Sequence, residues 1–518
     1  MTVVVREVAQ GKVRGETVAG GAVVRFLGVP YGAEVTGQRR FLPAITARPW
    51  TAVRDCLAFG PAAPQPPIDL GASARARAMQ VLMDEIGPSE SQGENCLVLN
   101  VWAPSDQPSS PRPVMVWIHG GGHTVGSGAV GIYDGAWLAE HRDVIVVTIN
   151  HRLGVLGYLF LSELLGEDYA VSGNIGNLDI VTALEWVRDN ISSFGGDSSN
   201  VTIFGESGGG AKVSALLAMP AASGLFHRAI IQSGPKLEAL STDYAAETAH
   251  ALLRELGFDA NEAAKLLDVP TDALIKAQVR ALGGPLGSAL LGGRALGPVV
   301  DGRALATQPF EPVAPDSSAQ VPLLIGTNKD EMTLFFYPND AIDAIDATAA
   351  TAALAAFHRD QAAELYAAYC STRPTATPGE RLTQAMTDRI RIGSIRLAER
   401  KAAQGTAPVW MYRFDFETDV LDGRLGAPHA MEVAYVFGIP DAVRLSGQRP
   451  ERHKLASQIS GAWAAFAHNG NPQTAPLPDW PPYEPQHRST MIFNTTSGVL
   501  EDPDGKERNA WEGFTAGI

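Results

Sequence analysis

The stretch that most constrains the fold is residues 201–212, where an apolar, β-branched run ends in a Gly-x-Ser-x-Gly pentapeptide followed by helix-forming residues. This pattern predicts a strand, a sharp turn and a helix. A side chain at the tip of such a turn is held in a strained backbone conformation, so its neighbours must lack a bulky Cβ, and Gly205 and Gly209 meet that need. Ser207 would then project its hydroxyl from the end of a sheet. The pentapeptide alone is also compatible with an ordinary Gly-rich loop, because the chain has 53 glycines.

Backbone donors are expected beside this hydroxyl. The N–H of Gly208 would lie at a helix N-terminus, where unpaired donors and the helix dipole favour negative charge. A second set of donors follows the apolar run 114–118, which ends in His119 and the glycines 120–122. Two of these N–H groups and that of Gly208 would form a three-donor oxyanion hole, each donor worth roughly 3 kcal/mol. The alternative for the glycine triplet is a tight turn.

Short, continuous apolar runs recur along the chain, with the length and composition of strands buried on both faces. They alternate with helical stretches such as 180–190, an order that predicts an α/β fold with a mostly parallel sheet and helices on both faces. Ligands of such sheets bind at the carboxyl ends of the strands, where Ser207 and the glycine triplet fall. The predicted strands, after a β-rich first hundred residues, are 98–102, 114–118, 144–150, 201–204, 229–232, 321–326 and 409–415.

No linker clearly divides the chain. We therefore predict one α/β domain over residues 1–518, with helical insertions at roughly 236–296 and 338–405. Residues 73–86 carry apolar side chains at helical spacing, with Ser73 as a candidate N-cap. This helix is either a surface helix that packs its apolar stripe on the body or a lid beside a pocket.

Composition excludes several classes of function. A net charge of −15 without a Lys/Arg run argues against a nucleic-acid partner. No apolar run reaches 18 residues, and no basic segment followed by an apolar core opens the chain, so we expect no membrane span and a cytoplasmic location. Cys56, Cys96 and Cys370 are too few for a disulfide framework and lack metal-ligand spacing.

A competing motif lies at residues 126–131, which match the G-x-G-x-x-G spacing of dinucleotide sites. That fingerprint requires glycines directly after a strand and an acidic residue at the end of the next strand. Residues 119–125 intervene here, and the next predicted strand ends in Asn150 and His151. The motif therefore does not predict nucleotide binding.

Taken together, the motifs resemble those of the type-B carboxylesterases, a family with the α/β-hydrolase fold. The matches run from near residue 20 to Trp480-Pro481, almost the whole chain. The segments that carry the resemblance are Phe26 to Tyr31, Glu94 to Leu97, His119 to Gly122, Asn150 to Gly154, Phe194 to Asp197, Gly205 to Gly209, Lys329 to Glu331, and His429.

The resemblance implies Ser207 as the nucleophile, Glu331 as the acid and His429 as the base of a catalytic triad. It also implies that the oxyanion donors are Gly121, Gly122 and Gly208. The chain order of serine, acid and histidine agrees with that of α/β-hydrolases. The residues alone do not choose between Asp330 and Glu331, which are adjacent.

Several positions depart from the family pattern. The family pairs the equivalent of Cys96 with a cysteine just before a glutamine, but residues 62–65 contain none, which predicts that this disulfide is absent, with Cys56 as the alternative, displaced partner. His123 and His151 replace aromatic residues of the family, so the pocket is expected to have a shape of its own. No Trp, Tyr or Phe lies between Gly60 and Gly93, which argues against a site for quaternary ammonium groups.

We therefore predict a serine carboxylester hydrolase that acts on small-molecule esters through an acyl-enzyme, without a metal or organic cofactor. Glu206, beside the nucleophile, is expected either to bias the charge of the pocket or to support its structure. The alternative function is a non-catalytic, cholinesterase-like binding or adhesion protein. Such relatives lose a member of the triad, whereas all three positions are intact here.

Overall fold

The computed structural model describes residues 2–87, 90–106, 109–284, 294–358 and 361–514. In these residues the strands are β1 Val3–Val8, β2 Gly11–Val18, β3 Val23–Pro30, β4 Arg54–Asp55, β5 Val98–Pro104, β6 Arg112–Ile118, β7 Ile145–Ile149, β8 Gly196–Glu206, β9 Arg228–Gln232, β10 Leu323–Asn328, β11 Val409–Phe414, β12 Ser489–Phe493 and β13 Gly498–Glu501. The α-helices are α1 Ala74–Glu85, α2 Ala136–Arg142, α3 Gly154–Tyr158, α4 Ser162–Leu165, α5 Ile175–Asn190, α6 Gly208–Ala218, α7 Thr242–Leu256, α8 Thr271–Leu282, α9 Thr333–Phe336, α10 Ala347–His358, α11 Ala362–Thr372, α12 Pro378–Ala403, α13 Val433–Val436, α14 Glu451–Asn469 and α15 Gly505–Ala510.

All these strands belong to one sheet, in the order β1-β2-β3-β5-β7-β6-β8-β9-β10-β11-β12-β13, with β4 beside β2. In this order the strands from β7 to β12 pair in parallel. The pairs β1-β2, β2-β3, β3-β5 and β5-β7 on one side, and β12-β13 on the other, are antiparallel, while β4 pairs with β2 in parallel. The predicted α/β fold with a large, mostly parallel sheet is confirmed.

The register brings the predicted functional segments to one edge of the sheet. Ile118 at the end of β6 is opposite Gly205 of β8, and Gln232 at the end of β9 is opposite Gly326 of β10. Because β6, β8, β9 and β10 are parallel, the residues that follow them emerge at the same edge. This edge therefore carries the glycine triplet, Ser207 and residues 329–331.

The core lies on both faces of the sheet. In β6, Val114, Val116 and Ile118 pack into one hydrophobic cluster, while Met115 and Trp117 pack into another on the opposite face. All are fully buried, and burial of each such side chain contributes roughly 1.5–3 kcal/mol. The sheet is thus a rigid support for loops at its edge.

Helix α1 forms where the apolar spacing predicted it. Ser73 caps it, its side chain accepting a hydrogen bond from the N–H of Ala76 at 3.0 Å. Met79 and Leu82 are buried against the body, as expected for a surface helix with one apolar stripe. A role as a lid stays a prediction.

The two ranges predicted as helical insertions contain α7 and α8 in the first, and α10, α11 and α12 in the second. Residues 285–293 of the Gly-rich link within the first range lie outside the described residues. Among the residues that are described, no helix is long and apolar enough to cross a membrane.

The three cysteines are free thiols in this structure. Burial raises the pKa of Cys96 to about 12 and that of Cys56 to about 11. Thiols with raised pKa values in apolar surroundings react slowly, because the thiolate is the reactive form.

Candidate active site

Ser207 occupies the turn between β8 and α6. Its backbone has φ 56° and ψ −123°, a strained conformation for a residue with a side chain, and such strain costs about 1–3 kcal/mol. The Ser207 N–H donates to the Gln232 carbonyl at 2.8 Å, and the Ser207 carbonyl accepts from the Ala211 N–H at 3.0 Å. A Cβ at Gly209 would lie 2.0 Å from the Ile118 carbonyl oxygen, so only glycine fits there. The predicted strand, turn and helix are confirmed.

His429 and Glu331 meet directly. His429 Nδ1 lies 2.5 Å from Glu331 Oε2, and both side chains are buried. The other carboxylate oxygen of Glu331 accepts from the Asn328 N–H at 2.7 Å. Because the carboxylate accepts a hydrogen bond from Nδ1–H, it fixes the orientation of the ring and the neutral tautomer in which Nε2 carries no proton.

Asp330 turns away from the imidazole. Its Oδ2 accepts a hydrogen bond from the Ala427 N–H at 2.9 Å, which ties the loop before His429 to the end of β10. The geometry therefore distinguishes the two adjacent acids: Glu331 contacts the ring, whereas Asp330 holds the loop that carries it.

Glu206 faces the opposite edge of the ring. Its Oε1 lies 3.0 Å from His429 Nε2, but neither atom has a hydrogen-bond partner of good geometry within the described chain. Burial raises the pKa of Glu206 to about 8. Burial lowers the pKa of His429, but the negative charges of Glu206 and Glu331 outweigh this effect and raise that pKa to about 9. Glu206 is thus part of the electrostatic environment of His429.

The glycine loop after β6 packs against the start of α6. Gly121 and Gly122 have φ values of 84° and 60°, in the left-handed region. Among the described residues, no acceptor is found for the N–H of Gly121 or of Gly122, and Gly208 is the first residue of α6, where the N–H has no partner within the helix. A Cβ at Gly208 would lie 2.1 Å from the Gly122 carbonyl oxygen. The structure therefore brings together the three glycines predicted as oxyanion donors.

A buried polar network supports this site, and sequence reasoning missed it. Asn328 Nδ2 donates to Glu432 Oε2 at 2.6 Å and to the Pro428 carbonyl at 2.7 Å. Glu432 Oε1 accepts from Gln232 Nε2 at 3.0 Å. Burial raises the pKa of Glu432. The one signal in the sequence is proximity, because Asn328 and Glu432 each lie three residues from a predicted triad member.

The two histidines that depart from the family pattern lie beside the glycine loop. His151 stacks on His119, with ring centroids 4.8 Å apart, and His123 packs edge-on against Tyr158 at 4.8 Å. His119 and His151 are buried and His123 is partly buried, and desolvation lowers the pKa of each, so they are neutral near pH 7. All three rings pack in this region, and Nδ1 of His119 and of His151 also hydrogen-bonds to a backbone carbonyl.

No group of three or more His, Cys, Asp or Glu side chains in the described ranges is arranged to hold a metal ion. What the site does assemble is a strained serine, a buried histidine with a carboxylate partner, and backbone donors in the segments that follow two neighbouring strands, β6 and β8. These parts are the ones that acyl transfer requires.

Comparison with known proteins points to the same chemistry. The model of the carboxylesterase family matches residues 2–511. The para-nitrobenzyl esterase of Bacillus subtilis (strain 168) is 37% identical over 96% of this chain and 96% of its own. The fumonisin B1 esterase of Sphingopyxis macrogoltabida is 33% identical over 96% of this chain and 87% of its own. A crystal structure of a carboxylesterase from Geobacillus stearothermophilus superposes with a TM-score of 0.84 and 38% identity, covering 98% of this chain and 99% of the other.

Proposed function

This chain belongs to the carboxylesterase family and is a carboxylic-ester hydrolase, and from that premise we propose that it forms an acyl-enzyme on Ser207, with His429 as base and Glu331 as the acid that orients it. The substrate is a small-molecule ester. No metal or organic cofactor takes part in any step.

Acylation begins when Ser207 Oγ attacks the carbonyl carbon of the ester. His429 Nε2 takes the hydroxyl proton in the same step, and Glu331 stabilises the imidazolium that forms. The carbonyl oxygen becomes an oxyanion and accepts hydrogen bonds from the N–H groups of Gly121, Gly122 and Gly208. The ester C–O bond then breaks, and His429 gives its proton to the leaving alcohol.

Deacylation repeats these steps with water. His429 takes a proton from the water molecule as its oxygen attacks the acyl carbon, and the same donors stabilise the second oxyanion. The bond to Ser207 Oγ then breaks, the serine regains its proton from His429, and the carboxylic acid leaves.

The observation that carries this proposal is the buried contact of 2.5 Å between His429 Nδ1 and Glu331 Oε2. A carboxylate in this position fixes the ring tautomer in which Nε2 is the free base. If Glu331 were merely a surface acid and His429 a histidine without a role, the two side chains would not be expected to lie buried in contact at the same sheet edge as Ser207.

The test is covalent labelling combined with hydrolysis of p-nitrophenyl acetate. A fluorophosphonate should inactivate the protein with a single adduct on the peptide that contains Ser207, and Ser207→Ala should neither be labelled nor hydrolyse the ester above background. A fully inactivated protein with its adduct on another residue would refute the assignment of the nucleophile. Para-nitrobenzyl esters and p-nitrophenyl esters of rising acyl length would then define the acyl and alcohol preferences.

A further inference from the structure

A buried lysine lies directly beneath the glycine loop. Lys212 is on the second turn of α6, and its side chain is fully buried. Its Nζ donates to the Gly122 carbonyl at 2.8 Å and to the His119 carbonyl at 3.2 Å. One side chain thus binds the loop on both sides of Gly120 and Gly121.

The carbonyl groups between these two points are also bound. The Gly120 carbonyl accepts from His119 Nδ1 at 2.9 Å, and the Gly121 carbonyl accepts from the Val125 N–H at 3.1 Å. In a trans peptide the C=O of one residue and the N–H of the next point in opposite directions. Because the carbonyls of Gly120 and Gly121 are both bound, the orientation of the N–H groups of Gly121 and Gly122, which lie on the opposite side of the same peptide planes, is fixed as well.

The loop reaches the lysine because glycines of α6 leave room for it. A Cβ at Gly208 would lie 2.1 Å from the Gly122 carbonyl oxygen, and one at Gly209 would lie 3.0 Å from that of His119. The glycines at 208 and 209 thus allow the loop to lie close to α6, and this closeness puts its carbonyls within hydrogen-bond distance of Lys212 Nζ.

Stability alone does not account for a lysine at this position. Among the described residues, no carboxylate lies within 4 Å of its Nζ, and a buried, unpaired ammonium is costly. Burial lowers the pKa of Lys212 to about 7. A neutral amine still has two N–H donors, so both bonds to the loop persist in either protonation state.

We propose that Lys212 is a positioning residue for ester hydrolysis: by binding the carbonyls of His119 and Gly122, it holds the loop so that the donors of Gly121 and Gly122 stay directed at the substrate oxyanion. This inference rests on the proposed role of the loop as an oxyanion hole. It concerns the transition state, because the oxyanion exists only there and in the tetrahedral intermediates.

The test replaces Lys212 by methionine, which keeps the length of the side chain and removes its donors. Lys401→Met is the matched control, because Lys401 is also fully buried and donates to a backbone carbonyl, that of Ala319, at 3.0 Å. Ala319 precedes β10 and thus lies at the opposite edge of the sheet. Both variants should be less stable to urea than the wild type.

Kinetics should separate the two variants. With p-nitrophenyl acetate, Lys212→Met should lower kcat by roughly 10- to 100-fold, somewhat less than the loss of a whole oxyanion donor, while KM changes by less than about threefold. Lys401→Met should leave both constants within about twofold of the wild type. The inhibition constant of a trifluoromethyl ketone, which forms an oxyanion on the serine, should rise as much as kcat/KM falls in Lys212→Met, whereas that of the corresponding methyl ketone should not change.

If Lys212→Met had the same kcat and the same affinity for the trifluoromethyl ketone as the wild type, the inference would be overturned. If that variant does not fold, Lys212→Gln keeps an uncharged donor and should show a smaller loss of kcat. A Lys212→Gln protein that also fails to fold would overturn the inference too, because the lysine would then be needed for the fold itself. The proposed function is judged separately, from fluorophosphonate labelling of Ser207 in the wild type.

Discussion

At the scale of single residues, His429, the proposed base, lies between two carboxylates to which we assign different tasks. Glu331 contacts Nδ1 of His429, and Glu206 lies beside Nε2. Both negative charges stabilise the imidazolium, but only Glu331 fixes the tautomer. Substitution of each acid should therefore change a different measurable property.

Glu331→Gln should leave folding intact and lower kcat by roughly 10⁴-fold, the scale seen when the acid of a triad is made neutral. Asp330→Asn is the matched control, since an amide oxygen can still accept the hydrogen bond from Ala427. Steady-state kinetics of the two variants, with circular dichroism of each, check the prediction. If Asp330→Asn lost its activity while Glu331→Gln stayed near normal, the acid of the triad would be Asp330 and not Glu331.

Glu206→Gln should shift the rising limb of the pH–activity profile to lower pH. His429 must be neutral to accept a proton, so activity rises as pH passes its pKa, which the nearby carboxylates raise to about 9. With the charge of Glu206 removed, the imidazolium is less stable and loses its proton at lower pH, by roughly one unit or more. In the wild type the measured midpoint describes the coupled titration of Glu206 and His429 and not that of His429 alone.

The control for this shift is Glu140→Gln, at an exposed position on α2. Profiles of kcat/KM recorded side by side for both variants should differ in midpoint. Equal midpoints, matching that of the wild type, would show that Glu206 does not act on the base.

At the scale of elements, a buried ion pair joins the segment after β7 to α5. Arg152 binds the Asp179 carboxylate with both Nε and Nη2, at 2.8 and 2.6 Å, and donates through Nη1 to the Leu42 carbonyl at 2.8 Å. Both side chains are almost fully buried. The pair therefore links three segments that are distant in sequence.

Asp179→Ala should lower the free energy of unfolding by about 3–5 kcal/mol, because it leaves an uncompensated buried guanidinium. Urea unfolding followed by circular dichroism measures this loss. Asp189→Ala breaks an exposed pair with Arg188 on the same helix and should leave the unfolding midpoint close to that of the wild type. Similar midpoints for the two variants would show that the buried pair contributes little.

Some strands could be predicted from the sequence and others could not. Continuous apolar runs predicted β5, β6 and β7, because a strand buried on both faces needs apolar residues at every position. β12 and β13 escaped prediction, since β12 has only three consecutive apolar residues and β13 only two, too few to distinguish either from a loop.

The motifs of the site could be predicted from the sequence, but the contacts between their side chains could not. Ser207 and the glycine loop could be inferred from the residues, whereas the choice of Glu331 over Asp330 came from family resemblance. The bond between Asn328 and Glu432 spans 104 residues of sequence. No local pattern encodes such a contact, because it depends on the order of strands in the sheet.

At the scale of the whole molecule, the cysteines report on the integrity of the fold. Titration with a thiol reagent, in denaturant and without reductant, should find three free thiols, because no disulfide is present in this structure. In the native protein Cys56 and Cys96 should react far more slowly than Cys370, which is partly exposed. A Cys56–Cys96 peptide in a non-reducing digest would contradict this prediction and the expected cytoplasmic location together.

The crowding of glycines around Ser207 also decides where laboratory evolution can act. A Cβ at Gly205, Gly208 or Gly209 would come within 2.0–2.6 Å of a backbone oxygen, which side-chain rotation cannot relieve. Codon randomisation at these positions would yield mostly inactive clones, whatever substrate is screened. The rings of His123 and Phe335 instead contact other rings, those of Tyr158 and His429, so a change of size at these positions acts on side chains first. A library aimed at new esters should therefore diversify these two positions and leave the turn unaltered.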